Sequence, residues 1–200
     1  GTLNITFNDD MPTAYAKEHV VTIQAPESEG VISSLASGWY ADVTHPWDAN
    51  VDNKYNSDSD PYYETIDWGD SKGRSSYVFN DANVSNVHID ESFSLGTFTH
   101  NNFPITSGSA ITTAYLKVTF DLTVGGETVH VDHVVQFNHN ETPNTGDGNN
   151  EASRDIVTIV NGTNQVDVTV GDYTYTLNIG FQDASNNPIT EVFTWENKAT

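Results

Sequence analysis

The chain has 200 residues, 36% of them hydrophobic, and its 28 acidic against 7 basic side chains give a formal net charge of −21. That charge repels nucleic acid and anionic membranes, and no apolar run reaches the roughly 18 residues that a membrane-spanning helix needs. The absence of cysteine excludes disulfides and zinc–thiolate sites, so we expect metal ions to stabilise a single domain of this size. An evenly acidic surface is the alternative explanation of the charge, but clustering of the acids in loops favours cation sites.

The first residues indicate a boundary. No apolar signal segment opens the chain, so we expect a piece of a longer protein. Residues 1–17 include Asp9-Asp10-x-Pro12, which is similar to the junction that ends tandem repeats in large bacterial repeats-in-toxin adhesins. We therefore expect residues 1–17 to be the end of a preceding repeat and residues 18–200 to be one β-sandwich domain.

Alternation of apolar and polar side chains predicts many antiparallel strands. The clearest run is Ala114 to Val124, followed by Gly125-Gly126 as a tight turn and a return strand from Thr128 to Phe137. A second hairpin is predicted around Gly171-Asp172. Further strands are predicted at Leu3–Phe7, Val20–Ile23, Ser76–Phe79, Ile156–Val160 and Ile189–Trp195. No stretch has a sustained helical period, so the predicted fold class is all-β, a calcium-stabilised sandwich of antiparallel strands with long acidic loops.

Three segments interrupt this pattern and are predicted to be loops. Residues 42–70 are acidic and aromatic, residues 80–91 are rich in Asn and Asp, and residues 141–155 are rich in Gly, Asn and acids. Long loops in a compact domain are usually functional or disordered, and bound cations would order loops of this composition.

The segment from 141 to 155 is the first candidate calcium site. Ca²⁺ prefers six to eight oxygen ligands, and acids or amides recur here beside glycines that let backbone carbonyls turn inward. A solvated linker is the alternative interpretation. The candidate ligands in this segment are Glu141, Asn144, Asp147, Asn149, Glu151 and Asp155.

The segment from 42 to 70 is the second candidate. Its acids suggest one or more further ions, with Asp48, Asp52, Asp67 and Asp70 as the candidate ligands. Aromatic rings in the same segment, among them Tyr63 and Trp68, suggest a contact surface, since a ring offers a large contact area at low entropic cost. The alternative is that several of these rings only pack beneath the loop.

Histidine spacing does not predict a zinc site. His130 and His133 fall on opposite faces of a strand, and His19, His45, His88 and His139 show no useful spacing. The sequence also lacks a Gly-x-Ser-x-Gly elbow, a His-Glu-x-x-His motif and a phosphate loop, while its many acids make any catalytic carboxylate pair uninformative. We therefore expect a binding protein and not an enzyme.

Several segments together resemble the choice-of-anchor K domain over residues 30–200. They are Trp68-Gly69, Ser75-Ser76, Phe98-Thr-His100-Asn-Asn102-Phe-Pro104-Ile105, Glu141-Thr-Pro-Asn144 and Gly171-Asp-Tyr173-Thr-Tyr175. A version of this domain lies near the end of giant bacterial repeats-in-toxin adhesins as a calcium-dependent peptide-binding module. Many relatives carry cysteines after Glu-Thr-Pro-Asn, whereas residues 149–154 have none, so calcium or packing would replace a disulfide here.

The resemblance implies a β-sandwich with several Ca²⁺ ions that recognises the free C-terminal end of a host or neighbour-cell surface protein. A bound Ca²⁺ would reverse the local charge and admit a carboxylate to a negative protein. The implied ligand-binding residues are His100, Asn102, Trp68, Gly69, Ser75 and Tyr63. For His100 and Asn102 the alternative role is a clamp between loops.

The expected protein is thus extracellular, on a bacterial cell surface, and a monomer within a long multidomain adhesin that mediates attachment. It is expected to bind no nucleic acid and to insert into no membrane. A carbohydrate-binding module with the same sandwich is the main alternative, because calcium and loop aromatics also suit sugars. A spacer without a ligand is a further alternative.

Overall fold

The computed structural model describes residues 27–57, 61–143, 151–185 and 187–196. These residues form an all-β structure of antiparallel sheets packed as a sandwich, which confirms the predicted fold class. Its strands are β1 (Glu29–Trp39), β2 (Asn53–Tyr55), β3 (Thr65–Asp70), β4 (Gly73–Asp81), β5 (Asn86–His88), β6 (Gly96–Asn101), β7 (Thr113–Val124), β8 (Glu127–Asn140), β9 (Asp155–Val160), β10 (Asn164–Val170), β11 (Tyr173–Ile179) and β12 (Glu191–Thr194). One 3-10 turn, Glu151–Ser153, precedes β9.

Two sheets form the layers of the sandwich. One has the order β12-β9-β8-β7-β1-β5 and the other the order β2-β3-β4-β6, while β10 and β11 form a separate hairpin. Within the described ranges we find no helix with the length and apolar character that crossing a membrane requires.

The core lies between the sheets, on the faces that the alternation predicts. In β7 every second side chain from Leu116 to Val124 is buried, and Phe137 of β8 is completely buried. Trp39 at the end of β1 stacks on Tyr77 of β4 with ring centroids 5.1 Å apart, which joins the two layers. Aromatic contacts of this kind add to the free energy that burial contributes.

Both predicted hairpins are confirmed. Gly125 and Gly126 have φ angles of 56° and 87°, which are the left-handed values that a two-residue turn between β7 and β8 requires. The β10–β11 hairpin turns at Gly171, and Val168 and Val170 bury their side chains in the same core as β7 and β8.

The predicted loops are wrong in part. The segment 42–70 contains β2 and all of β3, and the segment 80–91 contains β5 and the end of β4. The eleven-residue β1 was not predicted, because a register shift between Ser33 and Ala36 interrupts its alternation. The predicted strands at Leu3–Phe7 and Val20–Ile23, and the boundary at residue 17, lie outside the described residues.

Antiparallel pairing brings several of the predicted site residues to one end of the sandwich. The last residues of β8 and β12 lie beside the first residue of β9, Asp155. In the other layer, the last residue of β6, Asn101, pairs with Ser76 near the start of β4. A hydrogen bond of 3.3 Å from Asn102 Nδ2 to Thr194 O joins these two groups of strand ends. We call this the cluster end of the sandwich.

Candidate functional site

The cluster end contains a group of polar side chains that we call the buried polar centre: His100, His139, Glu141, Asp155 and Glu196. They come from β6, β8, β9 and the segments after β8 and β12. Two sets of possible metal-ligand atoms each lie within 4.8 Å of one another. The first set is His100, His139 and Asp155, and the second is Glu141, Asp155 and Glu196. Asp155, which is fully buried, belongs to both.

Both imidazoles are oriented through their Nδ1 atoms. The hydroxyl of Tyr77 lies 2.7 Å from His139 Nδ1, and the hydroxyl of Thr194 lies 2.6 Å from His100 Nδ1. His139 Nε2 then faces the carboxylates, 3.4 Å from Glu141 Oε2 and 3.7 Å from Asp155 Oδ2. These separations are longer than a good hydrogen bond between nitrogen and oxygen.

Two atoms of the centre lack a hydrogen-bond partner among the residues that the structure describes. They are His100 Nε2 and Asp155 Oδ2, and both are buried. The other oxygen of Asp155 accepts one hydrogen bond, from Thr142 N at 2.9 Å. The carboxyl groups of Asp155 and Glu141 also form a side-chain hydrogen bond, which requires a proton on one of them. A buried carboxylate with so few donors is costly to keep ionised.

Burial dominates the electrostatics of the centre. It raises the pKa of Asp155 to about 7 and lowers the pKa of His100 to about 3. It also raises the pKa of Glu141 and lowers that of His139, where the attraction of Asp155 opposes it. Burial therefore favours the neutral forms of both imidazoles and brings the protonation of Asp155 into the neutral pH range.

Trp68 forms the aromatic wall of the centre. Its ring centroid lies 5.8 Å from that of His100 and 5.3 Å from that of His139. Trp68 and Tyr77 are both fully buried, so this wall limits the motion of the imidazoles and excludes water from that side.

The donor set is mixed. Three carboxylates alone would suit Ca²⁺, which takes oxygen ligands. Imidazole nitrogens suit transition metals such as Zn²⁺ instead. The centre therefore fits calcium on its carboxylate side and does not fit it on its imidazole side.

Several of the predicted site residues meet here. Glu141 and Asp155, predicted as metal ligands, and His100 and Trp68, predicted as ligand-binding residues, all belong to the centre or its wall. Asn102 is buried beside it and donates to Thr194 O, and with His100 it makes the contacts of a clamp between the two sheets.

Ser75 and Gly69 stabilise the adjacent backbone. Ser75 Oγ accepts a hydrogen bond of 3.0 Å from Phe103 N. Gly69 has a φ of +116°, and an added Cβ would lie 2.4 Å from Gly73 O, so the β3–β4 hairpin requires glycine here.

A second acidic group, which we call the Asp67 network, lies apart from the centre. Asp67 is 7% exposed and pairs with Arg74 Nη2, and it accepts hydrogen bonds from Asn53 Nδ2 at 3.0 Å and Tyr55 OH at 3.1 Å. Arg74 also bonds Asp52 Oδ2 at 3.1 Å. Burial opposes ionisation of Asp67, but the donors outweigh it and hold its pKa below the ordinary value.

Asp48 and Asp70 serve as local hydrogen-bond acceptors. Asp48 Oδ2 accepts from the backbone N–H and the hydroxyl of Thr112 at 2.8 and 2.7 Å, and its Oδ1 accepts from Asn50 N at 2.9 Å. Asp70 accepts from Lys72 N at 2.9 Å in the turn between β3 and β4. Their predicted role as calcium ligands stays a prediction.

The remaining predicted residues lie elsewhere. Tyr63 bridges Trp39 through the backbone and contacts the ring of Trp47, with no contact to the centre in the described structure. The side chain of Glu151 is 82% exposed, 3.7 Å from Arg154. The predicted ligands Asn144, Asp147 and Asn149 lie outside the described residues.

Sequence reasoning missed His139, Tyr77 and Glu196. His139 has no partner at a useful spacing along the chain, as expected, and its partners come instead from another strand of its sheet and from the opposite sheet. The prediction for His130 and His133 is confirmed: His130 is exposed and bonds Asp121, whereas His133 lies on the half-buried inner face. A signal for His139 existed in the Asn-His-Asn-Glu segment that ends at Glu141.

A solvent-facing feature lies behind the centre, on the outer side of the six-stranded sheet. Phe193 and Trp195 are 47% and 44% exposed. The guanidinium of Arg154 lies 5.1 Å from each ring centroid. Because Thr194 and Asp155 point into the sandwich, their chain neighbours point outward. We call these three residues the aromatic–arginine surface.

Comparison with protein-family models and with curated proteins found no match to this chain.

Proposed function

We propose that the chain is a calcium-dependent peptide-binding module of a bacterial surface adhesin that recognises free C-terminal ends and mediates cell attachment. The resemblance to the choice-of-anchor K domain motivates this proposal. It implies an extracellular, non-catalytic domain whose partner is a surface protein of a host or neighbouring cell. The observation that carries the proposal is the aromatic–arginine surface on an edge strand of a strongly acidic protein.

Arg154 supplies the chemistry for a carboxylate. A guanidinium presents a planar fork of donors that matches a carboxylate in two parallel hydrogen bonds. Its position between two rings fixes the plane of that fork, and the rings offer contact area to the last side chains of a peptide. Its ion-pair partner Glu151 lies 3.7 Å away and has an 82% exposed side chain, so that pair is weak. In a chain with 7 basic and 28 acidic residues, this cation favours an anionic group that the rest of the surface repels.

Strand β12 supplies backbone groups for an extended peptide. It is the terminal strand of its sheet and pairs with β9 among the described strands. Ile159 N donates a hydrogen bond to Thr190 O, so every second residue of β12 from Thr190 onward directs its backbone N–H and C=O toward β9. The N–H and C=O of Phe193 therefore point away from β9. A peptide that adds to a sheet edge uses such groups for affinity.

Calcium dependence is the other part of the proposal. Among the described candidates outside residues 141–155, Asp52 and Asp67 have Arg74 as a partner, Asp48 has Thr112, and Asp70 accepts from Lys72 N. The segment from 141 to 155 carries the remaining candidates and contains Arg154. Calcium that orders this segment would therefore position the aromatic–arginine surface.

The test measures binding of a peptide library with free and with amidated C-termini, in millimolar Ca²⁺ and in EDTA, by fluorescence anisotropy. We expect free ends to bind at least tenfold more tightly, since hydrogen bonds to charged groups contribute about 1.5–3 kcal/mol. Arg154→Met is expected to abolish this preference, and Lys72→Met, which removes an exposed cation from the β3–β4 turn, is the matched control.

Equal binding of free and amidated peptides would overturn carboxylate recognition. Unchanged binding in EDTA would overturn calcium dependence. A glycan array run beside the library tests the carbohydrate alternative, which the two half-exposed rings also suit; glycan binding that Trp195→Ala abolishes, without peptide binding, would favour it.

A further inference from the structure

We propose that the buried polar centre binds a divalent transition-metal ion of the Zn²⁺ class through His100, His139 and Asp155, with Glu141 as the fourth side chain. One atom from each of the first three residues lies within 4.8 Å of the others. This ion differs in chemical class from the calcium of the proposed function. Glu141 and Asp155 are candidate ligands of both ions, and the inference stands without that function.

The type of donor selects the metal. Two imidazole nitrogens and carboxylate oxygens form a set that Zn²⁺, Co²⁺ and Ni²⁺ accept. Ca²⁺ takes oxygen ligands in a larger number.

The spacing suits an ion between the side chains. Bonds of 2.0–2.2 Å to a tetrahedral ion place neighbouring ligand atoms about 3.3–3.6 Å apart. His139 Nε2 lies 3.4 Å from Glu141 Oε2 and 3.7 Å from Asp155 Oδ2. Atoms at these distances are too far apart for strong hydrogen bonds and close enough to share one metal ion.

The surroundings supply the usual second layer of a metal site. Ligating histidines generally donate their other N–H to an oxygen, which fixes the ring. Tyr77 and Thr194 place hydroxyl oxygens 2.7 and 2.6 Å from the Nδ1 atoms of His139 and His100. With Nδ1–H donating to these oxygens, each Nε2 presents its lone pair to the centre.

The buried atoms without hydrogen-bond partners favour a bound ion. Asp155 is completely buried, and its Oδ2 has no hydrogen-bond partner among the described residues, nor has His100 Nε2. A metal ion would satisfy both atoms at once. The side chain of Glu141 is 18% exposed, which gives an ion a route from solvent.

The test starts from the whole chain, treated with EDTA and still able to fold. This protein is titrated with Co²⁺, and visible absorption follows the binding. We expect one equivalent to give the intense d–d bands of a four-coordinate ion with nitrogen and oxygen ligands, and Zn²⁺ to abolish them. Millimolar Ca²⁺ is expected to leave them in place. Metal analysis of the protein purified without chelator is expected to find a transition metal near one equivalent.

Variants connect the signal to the side chains. We expect His139→Gln and His100→Gln to weaken Co²⁺ binding at least about 100-fold, and Tyr77→Phe to weaken it about 10- to 100-fold through loss of its positioning hydrogen bond. His130→Gln is the matched control, because His130 lies on the same strand and faces solvent. Circular dichroism of each variant in EDTA checks that it is folded.

The inference is overturned if the wild-type chain shows no four-coordinate Co²⁺ bands. It is also overturned if folded His139→Gln retains the bands, or if His130→Gln loses them equally. Calcium-dependent peptide binding that persists in His139→Gln would separate this ion from the calcium of the proposed function. Absence of calcium-dependent peptide binding in the wild-type chain, with its Co²⁺ bands intact, would leave the metal site standing and count against that function alone.

Discussion

Asp67 and Asp155 are the same type of residue, are both buried, and have opposite electrostatics. Asp67 is 7% exposed, and Arg74, Asn53 and Tyr55 all donate to it. Asp155 is fully buried and accepts one backbone hydrogen bond, from Thr142. The donors hold the pKa of Asp67 below its ordinary value, whereas burial raises the pKa of Asp155 to about 7.

The difference shows which acids a protein of charge −21 neutralises by itself. The Asp67 network contains its own cation, so its stability needs no ligand. The buried polar centre has carboxylates and neutral imidazoles but no lysine or arginine in the contacts that the structure describes, so a proton or a metal ion must balance its charge. The buried polar centre, whose carboxylates have no cationic side chain beside them in the described contacts, is therefore the acidic group that suggests a bound ion.

The largest expected effect is loss of the cation from the complete network. Arg74→Met should leave Asp67 buried and ionised, at a cost of about 3 kcal/mol, the lower end for a broken buried pair because the Arg74 side chain is 42% exposed. Urea denaturation measures this free energy, with Lys72→Met as the exposed control. A loss under about 0.5 kcal/mol would mean that water already screens Asp67.

A matched substitution in each region should give opposite signs. Asp67→Asn removes the charge that Arg74 binds, and we expect a loss of about 2 kcal/mol in the free energy of unfolding. Asp155→Asn in EDTA removes a poorly solvated carboxylate and keeps the acceptor for Thr142 N, so we expect no loss, or a gain of about 1 kcal/mol. Denaturation of both variants in EDTA and in Zn²⁺ checks this.

Destabilisation of both variants by the same amount in EDTA would refute the contrast. In Zn²⁺ the sign for Asp155→Asn should reverse, because the wild-type chain then gains binding free energy that the variant lacks. Asp67→Asn should show the same loss with and without the ion.

The sequence predicts the hairpins because their signals are local. In β7 and β8 the alternation of side chains is uninterrupted, and Gly125-Gly126 has the φ angles of the predicted turn. Nothing beyond neighbouring residues is needed to infer that turn, that register and the buried face. The same holds for β10 and β11.

The missed strands lack that local signal. Strand β1 has a register shift after Ser33, and Ser34 has a positive φ of 54°, so its pattern changes phase midway. In β3 three successive residues, Ile66, Asp67 and Trp68, are buried, so the strand does not alternate between buried and exposed side chains. The acid between two apolar residues is more typical of a loop. The cation from β4, together with donors from β2, makes a buried aspartate acceptable in that strand.

Part of the buried polar centre could be predicted from the sequence. Glu141 and Asp155 follow from an acid-rich segment, but the imidazoles come from β6 and β8 in opposite sheets. Their proximity depends on packing through Trp68 and Tyr77 and on the hydrogen bond to Thr194. No spacing along the chain encodes a contact between His100 and His139.

Removal of one hydroxyl from the buried polar centre and one from the Asp67 network should destabilise the protein by different amounts, both smaller than those above. Tyr77→Phe takes the buried partner from His139 Nδ1, and we expect a loss of about 1–2 kcal/mol. Tyr55→Phe removes one of several donors to Asp67 at a residue that is 53% exposed, and we expect about 0.5 kcal/mol. Thermal denaturation in EDTA compares the two variants. Equal losses of stability would contradict the interpretation that Asp67 has more donors than it needs.

The smallest effect is the pH dependence of the Asp67 network. The folded pKa of Asp67 lies below the unfolded value of about 3.9, so its contribution to stability is complete above that pH and is lost as the pH falls through the folded pKa. The difference in stability between wild type and Asp67→Asn should therefore be constant from about pH 5 to 8 and shrink as the pH falls towards 3. Urea denaturation in EDTA at each pH measures it. A difference that instead grew on acidification would mean that burial, and not Arg74, controls this carboxylate.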